Sequence, residues 1–199
     1  MPKILIATNN RGKQAEIGAL LRGLDAELVT PVDLALSLDV VEDGRTYREN
    51  AAKKAIAFAQ ASGLISLADD TGLEVAALDD APGLYSARFA PVTNPTDADR
   101  RAYLLAQLRA FPRPWTARFR CVVAVASPAG EVQFSEGIFS GEIIPEARGE
   151  HGFGYDPIFY IPALGKTLAE LDMAEKNKVS HRALAVLAAA PILKAAIER

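Results

Sequence analysis

Apolar positions recur along this chain with two periods, one suited to strands and one to helices. Residues 3–7, K-I-L-I-A, form a short β-rich run that reads as a central strand. A polar turn follows at 8–13, T-N-N-R-G-K. Ile17, Leu20 and Leu21 then fall at helical spacing and predict a helix over 14–21. Residues 27–30 predict a weak second strand before Pro31. Thr46 and Glu49 have capping-box spacing and open an Ala-rich helix that runs to residue 62. The run 64–68 predicts a buried strand ending in Asp69 and Asp70, with Thr71 and Gly72 breaking it.

Pro82-Gly83 marks a turn inside 81–89, and Thr96 caps a helix over 97–110 with Tyr103, Leu104 and Leu108 inward. Residues 117–126 and 132–144 predict long strands joined at S-P-A-G, an antiparallel hairpin. A strand over 157–161, a short helix from 167 and a helix over 180–190 capped by Ser180 complete the chain, with Pro191 kinking or restarting the last helix. Strand–helix units come first, then a hairpin, then loops and helices. That order predicts a mixed sheet in an α/β protein. No internal repeat or low-complexity tract interrupts it.

The 199 residues suit one domain, or one domain with two lobes, and half are hydrophobic, enough for a sizeable core. The formal net charge of -3 argues against a binder of duplex nucleic acid, so cations must be grouped locally if the ligand is anionic. A single cysteine, Cys121, excludes an internal disulfide framework and a cysteine zinc cage; its apolar surroundings predict a small core residue. The absence of a signal-like segment or a membrane-length apolar run leads to an expectation of a cytoplasmic protein without membrane contact.

Three polar clusters stand out. Asp69 and Asp70, at the end of a strand, are suited to holding a hard cation or deprotonating a water, although D-D-T-G alone also fits a solvated turn. Two features lie upstream of them in the chain. The turn at 8–13 has the strand–turn–helix layout that presents backbone N–H groups to an anion, with Lys13 in the first helical turn, or is simply a capped turn. Glu42 is a further acid for a metal or a solvated loop residue, one of Lys53 and Lys54 faces a cleft unless both are solvated, and Glu49 has the spacing of a cap. Ser86 and Arg88 suggest a cleft wall, with a structural partner for Arg88 equally consistent. The second cluster, R-G-E-H-G-F-G-Y-D-P-I-F at 148–159, offers backbone freedom and the rings of Phe153 and Tyr155 for stacking, or a surface loop with its aromatics in the core. The third, E-K-N-K-V-S-H-R at 175–182, puts His181 and Arg182 in the first turn of a helix, where cations oppose the dipole, as an anionic or carbonyl-rich ligand would reward.

Taken in order, T-N-N-R-G-K, E-N-A-A-K-K-A, A-D-D-T-G-L, P-G-L-Y-S-A-R, F-G-Y-D-P-I-F and S-H-R resemble the inosine/xanthosine triphosphate pyrophosphatase family over nearly the full chain. The resemblance implies an elongated mixed α/β sheet flanked by helices, two lobes with a central cleft, and a homodimer. It implies hydrolysis of ITP, dITP or XTP to monophosphate and pyrophosphate, with Mg²⁺ or Mn²⁺ helping water attack the α-phosphorus. By motif, Thr8, Asn9, Asn10 and Lys13 contact the triphosphate and Lys54 faces phosphate. Asp70 binds metal and acts as base, Asp69 and Glu42 assist the metal, and Thr71 contacts substrate. Phe153, Gly154, Tyr155, Asp156, Lys176, His181 and Arg182 surround base and sugar. Asn9 and Thr71 stand where this family often has Gly and Ser. A Maf-like pyrophosphatase of other base preference, a non-catalytic nucleotide sensor and a plain interaction domain, which would leave all three clusters unexplained, are the alternatives.

Overall fold

The computed structural model describes residues 1–198. Among the described residues seven strands form one open sheet: β1 (Lys3–Ile6), β2 (Glu27–Val29), β3 (Ile65–Val75), β4 (Trp115–Ala126), β5 (Val132–Ile143), β6 (Phe159–Ile161) and β7 (Lys166–Thr167). Their order across the sheet is β2-β1-β3-β4-β5-β6-β7. β1 lies parallel to β2 and β3, whereas β6 is antiparallel to β5 and β7, so the sheet is mixed. Residues 127–131 join β4 to its neighbour β5, a connection that suits only an antiparallel pair. The helices are α1 (Arg11–Leu20), α2 (Tyr47–Ser62), α3 (Asp97–Leu108), α4 (Met173–Val179) and α5 (His181–Ile197). Pro191 lies inside α5, which neither ends nor restarts there. Among the described residues no single helix is long and apolar enough to cross a membrane.

The chain divides into two compact units, and the divisions fall within β3, β4 and β5 or beside α5. Unit 1 holds residues 1–70, 121–137 and 181 onward; unit 2 holds 71–120 and 138–180. In unit 1 the strand period of two sorts side chains onto two faces. Ile4, Ile6, Leu67, Cys121, Val123 and Val125 pack with Ile17 of α1 and Val186, Ala189 and Leu193 of α5. Leu5, Ala7, Ala68, Val122, Ala124 and Ala126 pack with Ala51, Ala55 and Phe58 of α2. Unit 2 has its own core, in which Leu73, Val75, Trp115 and Phe119 meet Leu104 and Leu108 of α3 and Ile158, Phe159 and Leu168.

β3 departs from the sequence expectation. Thr71 and Gly72 do not break it; it continues to Val75. Leu73 and Val75 are wholly buried in unit 2, and the Leu73 N–H donates to Ser86 Oγ at 2.9 Å. Burial of this face outweighs the turn preference of Thr-Gly. Pairing with β1 nevertheless stops early, since the last contact is Ala7 N–H to the Leu67 carbonyl at 2.7 Å. Asp69 and Asp70 therefore lie in mid-strand, yet beyond the carboxyl end of β1.

In unit 1, Gly137 of β5 lies against α5 so closely that a Cβ would sit 2.2 Å from the His181 carbonyl oxygen and 2.6 Å from the Ala185 nitrogen. Backbone cannot yield as a flexible side-chain tip would. Gly137→Ala is expected to lower unfolding stability by about 1–3 kcal/mol, the usual cost of overpacking. Urea titration checks this, and an unchanged midpoint would contradict the close packing of α5 on β5.

Candidate active site

Adjacent residues of a strand point to opposite faces, and that separates the two aspartates. Asp69 shares the face of Leu67, beneath α1 and α5. Its Oδ2 lies 3.0 Å from Lys13 Nζ and accepts from Arg182 Nε and Nη2 at 3.3 and 3.2 Å. Arg182 Nη1 donates to Glu16. Asp69, Glu16 and Arg182 are all buried, at 1%, 2% and 2% exposure. The Cys121 thiol lies 3.9 Å from Asp69 Oδ2, inside the core as expected for it. Burial raises the Asp69 pKa, but Lys13, Arg182 and Lys54 outweigh it and hold the carboxyl well below its ordinary value. Burial lowers the Arg182 pKa, but Asp69 and Glu16 reverse that and hold it above its ordinary value.

Asp70 shares the face of Ala68, under α2. Asn50 Nδ2 donates to its Oδ2 at 3.2 Å, and Lys54 Nζ lies 3.6 Å from its Oδ1. The same ammonium is 3.1 Å from Glu42 Oε2. The pKa of Asp70 is raised: burial raises it most, Lys54 and Lys13 pull it down, and Glu42 pushes it up again. Burial lowers the Lys54 pKa, but Asp70, Asp69 and Glu42 hold it above its ordinary value. Asn50, one helical turn before Lys54, also accepts from the Gly44 N–H at 2.7 Å and so ties the loop that carries Glu42 to Asp70. Lys53 points away, to exposed Asp43. Thr46 Oγ1 caps α2 by accepting from Glu49 N–H at 3.1 Å, while the Glu49 carboxylate accepts from Arg45 N–H.

At the start of α1, Asn10 Oδ1 accepts from Lys13 N–H at 3.1 Å, and Gln14 Nε2 donates to the Thr8 carbonyl at 2.7 Å. Asn10 N–H donates to Thr8 Oγ1 at 3.2 Å, and Asn9 Nδ2 donates to the Leu38 carbonyl at 3.2 Å. The helix starts at Arg11, three residues before the expected 14, because Asn10 is its cap.

Unit 2 carries the second cluster. Asp156 Oδ2 accepts from Lys176 Nζ at 2.6 Å and from Phe153 N–H at 2.9 Å. Lys176 Nζ also lies 5.3 Å from the centre of the half-buried Phe153 ring. Gly152 has φ +75°, and a Cβ there would fall 2.1 Å from Asp156 Oδ2, so the loop needs glycine. Gly154 follows at φ +64°.

Several residues stand elsewhere than expected. Asp69, Asp70 and Glu42 do not form one acidic group; among the described residues no three acidic, His or Cys side chains come together in a way that could hold a metal. Alternation along the strand sends Asp69 to Lys13 and Arg182 instead. Arg182, expected beside base and sugar, is buried with its guanidinium on the carboxylates of Asp69 and Glu16, and the neighbouring His181 is buried as well. Tyr155 is no stacking ring: it is 4% exposed, its hydroxyl donates to the Ser86 carbonyl at 2.9 Å, and burial pushes its pKa up. Ser86 is a buried tie between Leu73 N–H and the Gly83 carbonyl, and Arg88 is exposed over Tyr85. Glu16 and Asn50 were missed. Their signals were polar residues at helical spacing from Lys13 and Lys54, each on a face otherwise packed inward.

Fold and site define an α/β protein whose sheet carries two buried aspartates, one ion-paired and one held beside a lysine and a glutamate. The chain belongs to the Ham1 family, whose model matches residues 4–192. The dITP/XTP pyrophosphatase of Desulforamulus reducens is 47% identical over 96% of this chain and 95% of that protein. The enzyme of the same name from Thermus thermophilus is 45% identical over 94% of this chain and 89% of its own length. A HAM1 protein from Coxiella burnetii superposes with a TM-score of 0.87 at 41% identity, covering 98% of this chain and all of that one. The Ham1 protein of Staphylococcus aureus gives 0.84 at 39% over 98% of this chain and 99% of its own.

The depressed pKa of Asp69 sets a sign. Its charge stabilises the fold above the ordinary carboxylate pKa of about 3.9, and that contribution drains away as pH falls below it. The urea midpoint of the wild-type protein should therefore drop between pH 5 and 3. Asp69→Asn should be less stable at pH 7, with a smaller drop over the same range. An Asp69→Asn midpoint that falls as steeply as wild type would remove Asp69 as the origin of the slope.

Proposed function

We propose that this chain hydrolyses non-canonical purine nucleoside triphosphates, ITP, dITP and XTP, to the monophosphate and pyrophosphate. The relatives bearing the name dITP/XTP pyrophosphatase, matched along nearly the whole chain, support this reading. The setting of Asp70 carries it: a buried carboxylate with raised proton affinity, next to an ammonium and a second acid. A carboxylate held that way is a better proton acceptor than a solvated one.

Glu42 and Asp70 fit a divalent cation, Mg²⁺ or Mn²⁺. They are hard oxygen donors that already converge on one positive charge, and Mg²⁺ commonly uses one or two carboxylates together with substrate phosphates. When bound, the cation supplies Lewis-acid charge to the phosphate oxygens. Asp69 stands outside this pair, committed to Lys13 and Arg182, and holds Lys13 in place. Lys13 and Lys54 offset charge on the triphosphate and on the leaving pyrophosphate. The first N–H groups of α1, which have no intrahelical acceptor, face an anion, and Thr71 offers a hydroxyl. Asp70 takes the proton of the water that attacks the α-phosphorus.

In unit 2 the Phe153 ring stacks on the purine, and Lys176 beside it offers donors to a 6-oxo group. Adenine presents a 6-amino donor there instead, and an unmatched buried donor costs about 1–3 kcal/mol, more when charged. ITP and XTP are therefore preferred to ATP. Guanine shares the 6-oxo group and must be refused at its 2-amino group. A cytoplasmic homodimer acting on the nucleotide pool completes the reading.

Purified protein with Mg²⁺ and a panel of triphosphates, with products resolved by chromatography, tests this. The expected order in kcat/KM is ITP and XTP above GTP, and GTP at or above ATP. In heavy-oxygen water the label should enter the monophosphate, and inorganic phosphate as the primary product would refute the reaction. Asp70→Asn should lower the rate by roughly two orders of magnitude or more with the fold retained. A folded Asp70→Asn protein of near-normal activity would take Asp70 out of its role.

A further inference from the structure

We infer that Asp97 and Arg101 of α3 are positioning residues that set purine affinity by clamping the peptide at Gly154. The inference rests on the reading of Phe153 as the purine platform. The Gly154 N–H donates to Asp97 Oδ2 at 2.7 Å, and the Gly154 carbonyl accepts from Arg101 Nη1 at 2.7 Å. Both backbone groups of one residue are thus held by charged side chains one helical turn apart. That residue directly follows Phe153 and adopts φ +64°.

Helix capping does not account for the pair. Thr96 and Asp99 already form a complete capping box at the start of α3: Asp99 N–H donates to Thr96 Oγ1 at 3.2 Å and Thr96 N–H donates to Asp99 Oδ2 at 2.9 Å. Asp97 is not needed there and turns one oxygen to Gly154 and the other to Arg100. Arg100 in turn donates to the Pro95 and Ala87 carbonyls at 2.7 and 3.0 Å, which fixes the start of the helix. The clamp is therefore mounted on a rigid element.

On the other side of Phe153, Asp156 holds the Phe153 N–H and Lys176. Asp156 fixes the residue from its amide, and the clamp fixes it from the peptide that follows. A loop containing Gly149, Gly152 and Gly154 at positive φ has much backbone freedom to lose on ordering. Charged hydrogen bonds to both groups of Gly154 remove that freedom before substrate arrives, so the ring is preorganised for stacking.

The test is steady-state kinetics on dITP with Mg²⁺. Asp97→Ala and Arg101→Ala should each raise KM about three- to tenfold, as expected for losing one charge-assisted bond, with kcat within about twofold of wild type. Arg101→Lys, which keeps a cationic donor, should recover part of the loss. In a Phe153→Ala background the same two substitutions should have a much smaller effect, because the ring they position is gone. Thermal melts accompany each variant. Should an alanine variant fail to fold, Asp97→Asn and Arg101→Gln meet the same KM criterion at nearly unchanged volume. Unchanged KM in folded clamp variants, a fall in kcat at constant KM, or undiminished effects in the Phe153→Ala background would each overturn the inference. Phe153→Ala alone leaving KM unchanged would instead overturn the platform reading on which it rests.

Discussion

The arrangement of unit 1 hangs on one buried charge. Asp69 has almost no contact with solvent, and an ion moved into such a place loses several kcal/mol of hydration even after relaxation. One cation at about 4 Å returns about 4 kcal/mol at an effective dielectric near 20. A single partner would leave the balance close to zero, and two tip it toward the charged form. Those two come from different elements, Lys13 from α1 and Arg182 from α5, and Arg182 brings Glu16 with it. The charge on β3 thus dictates how the first turns of two helices meet the sheet. The cation at the start of α5 that opposes the helix dipole is stabilised by carboxylates on either side of it.

The same strand gives Asp70 the opposite character. One residue along, the side chain turns to the face of α2, where the nearest ammonium is shared with Glu42 and the Asn50 amide donates to one of its oxygens. Two chemically identical groups in sequence thus differ in proton affinity in opposite directions. Environments that push a pair of acids apart in this way are how one site holds both a fixed charge and a proton acceptor. Here the strand period sends the two acids to different partners, and those partners produce the separation.

Most of the fold was legible in the sequence because hydrophobic period reports it directly. The strands at 3–7 and 27–30, the hairpin at 117–144 and the caps at Thr46 and Thr96 all follow from local pattern. β3 was cut short because Thr-Gly is a turn signal in isolation, and only burial of Leu73 and Val75 beyond it shows that the strand continues. At the site, local reading found the residues but not their partners. Arg182 lies 113 positions from Asp69 and 166 from Glu16, and no periodicity connects such distances. The two-acid motif looked like one cation site until alternation assigned each acid to its own face. The sequence leaves Tyr155 between stacking and core for a related reason: an aromatic in a Gly-rich loop gives no sign of which way it points until its hydroxyl meets the Ser86 carbonyl.

Glycine-rich loops pose a general difficulty that unit 2 resolves in a particular way. Positive φ at Gly152 lets the chain pass within reach of Asp156, where any side chain would collide with the carboxylate. The freedom that permits this turn also disfavours holding it. Apolar burial cannot supply all the order, since Phe153 is only half-buried. Order comes instead from ionic groups that accept or donate to backbone: Asp156 to the amide of Phe153, Asp97 and Arg101 to the two sides of Gly154. Such bonds are directional as well as strong. They fix the orientation of a half-buried ring, which hydrophobic contact alone, being non-directional, does not do.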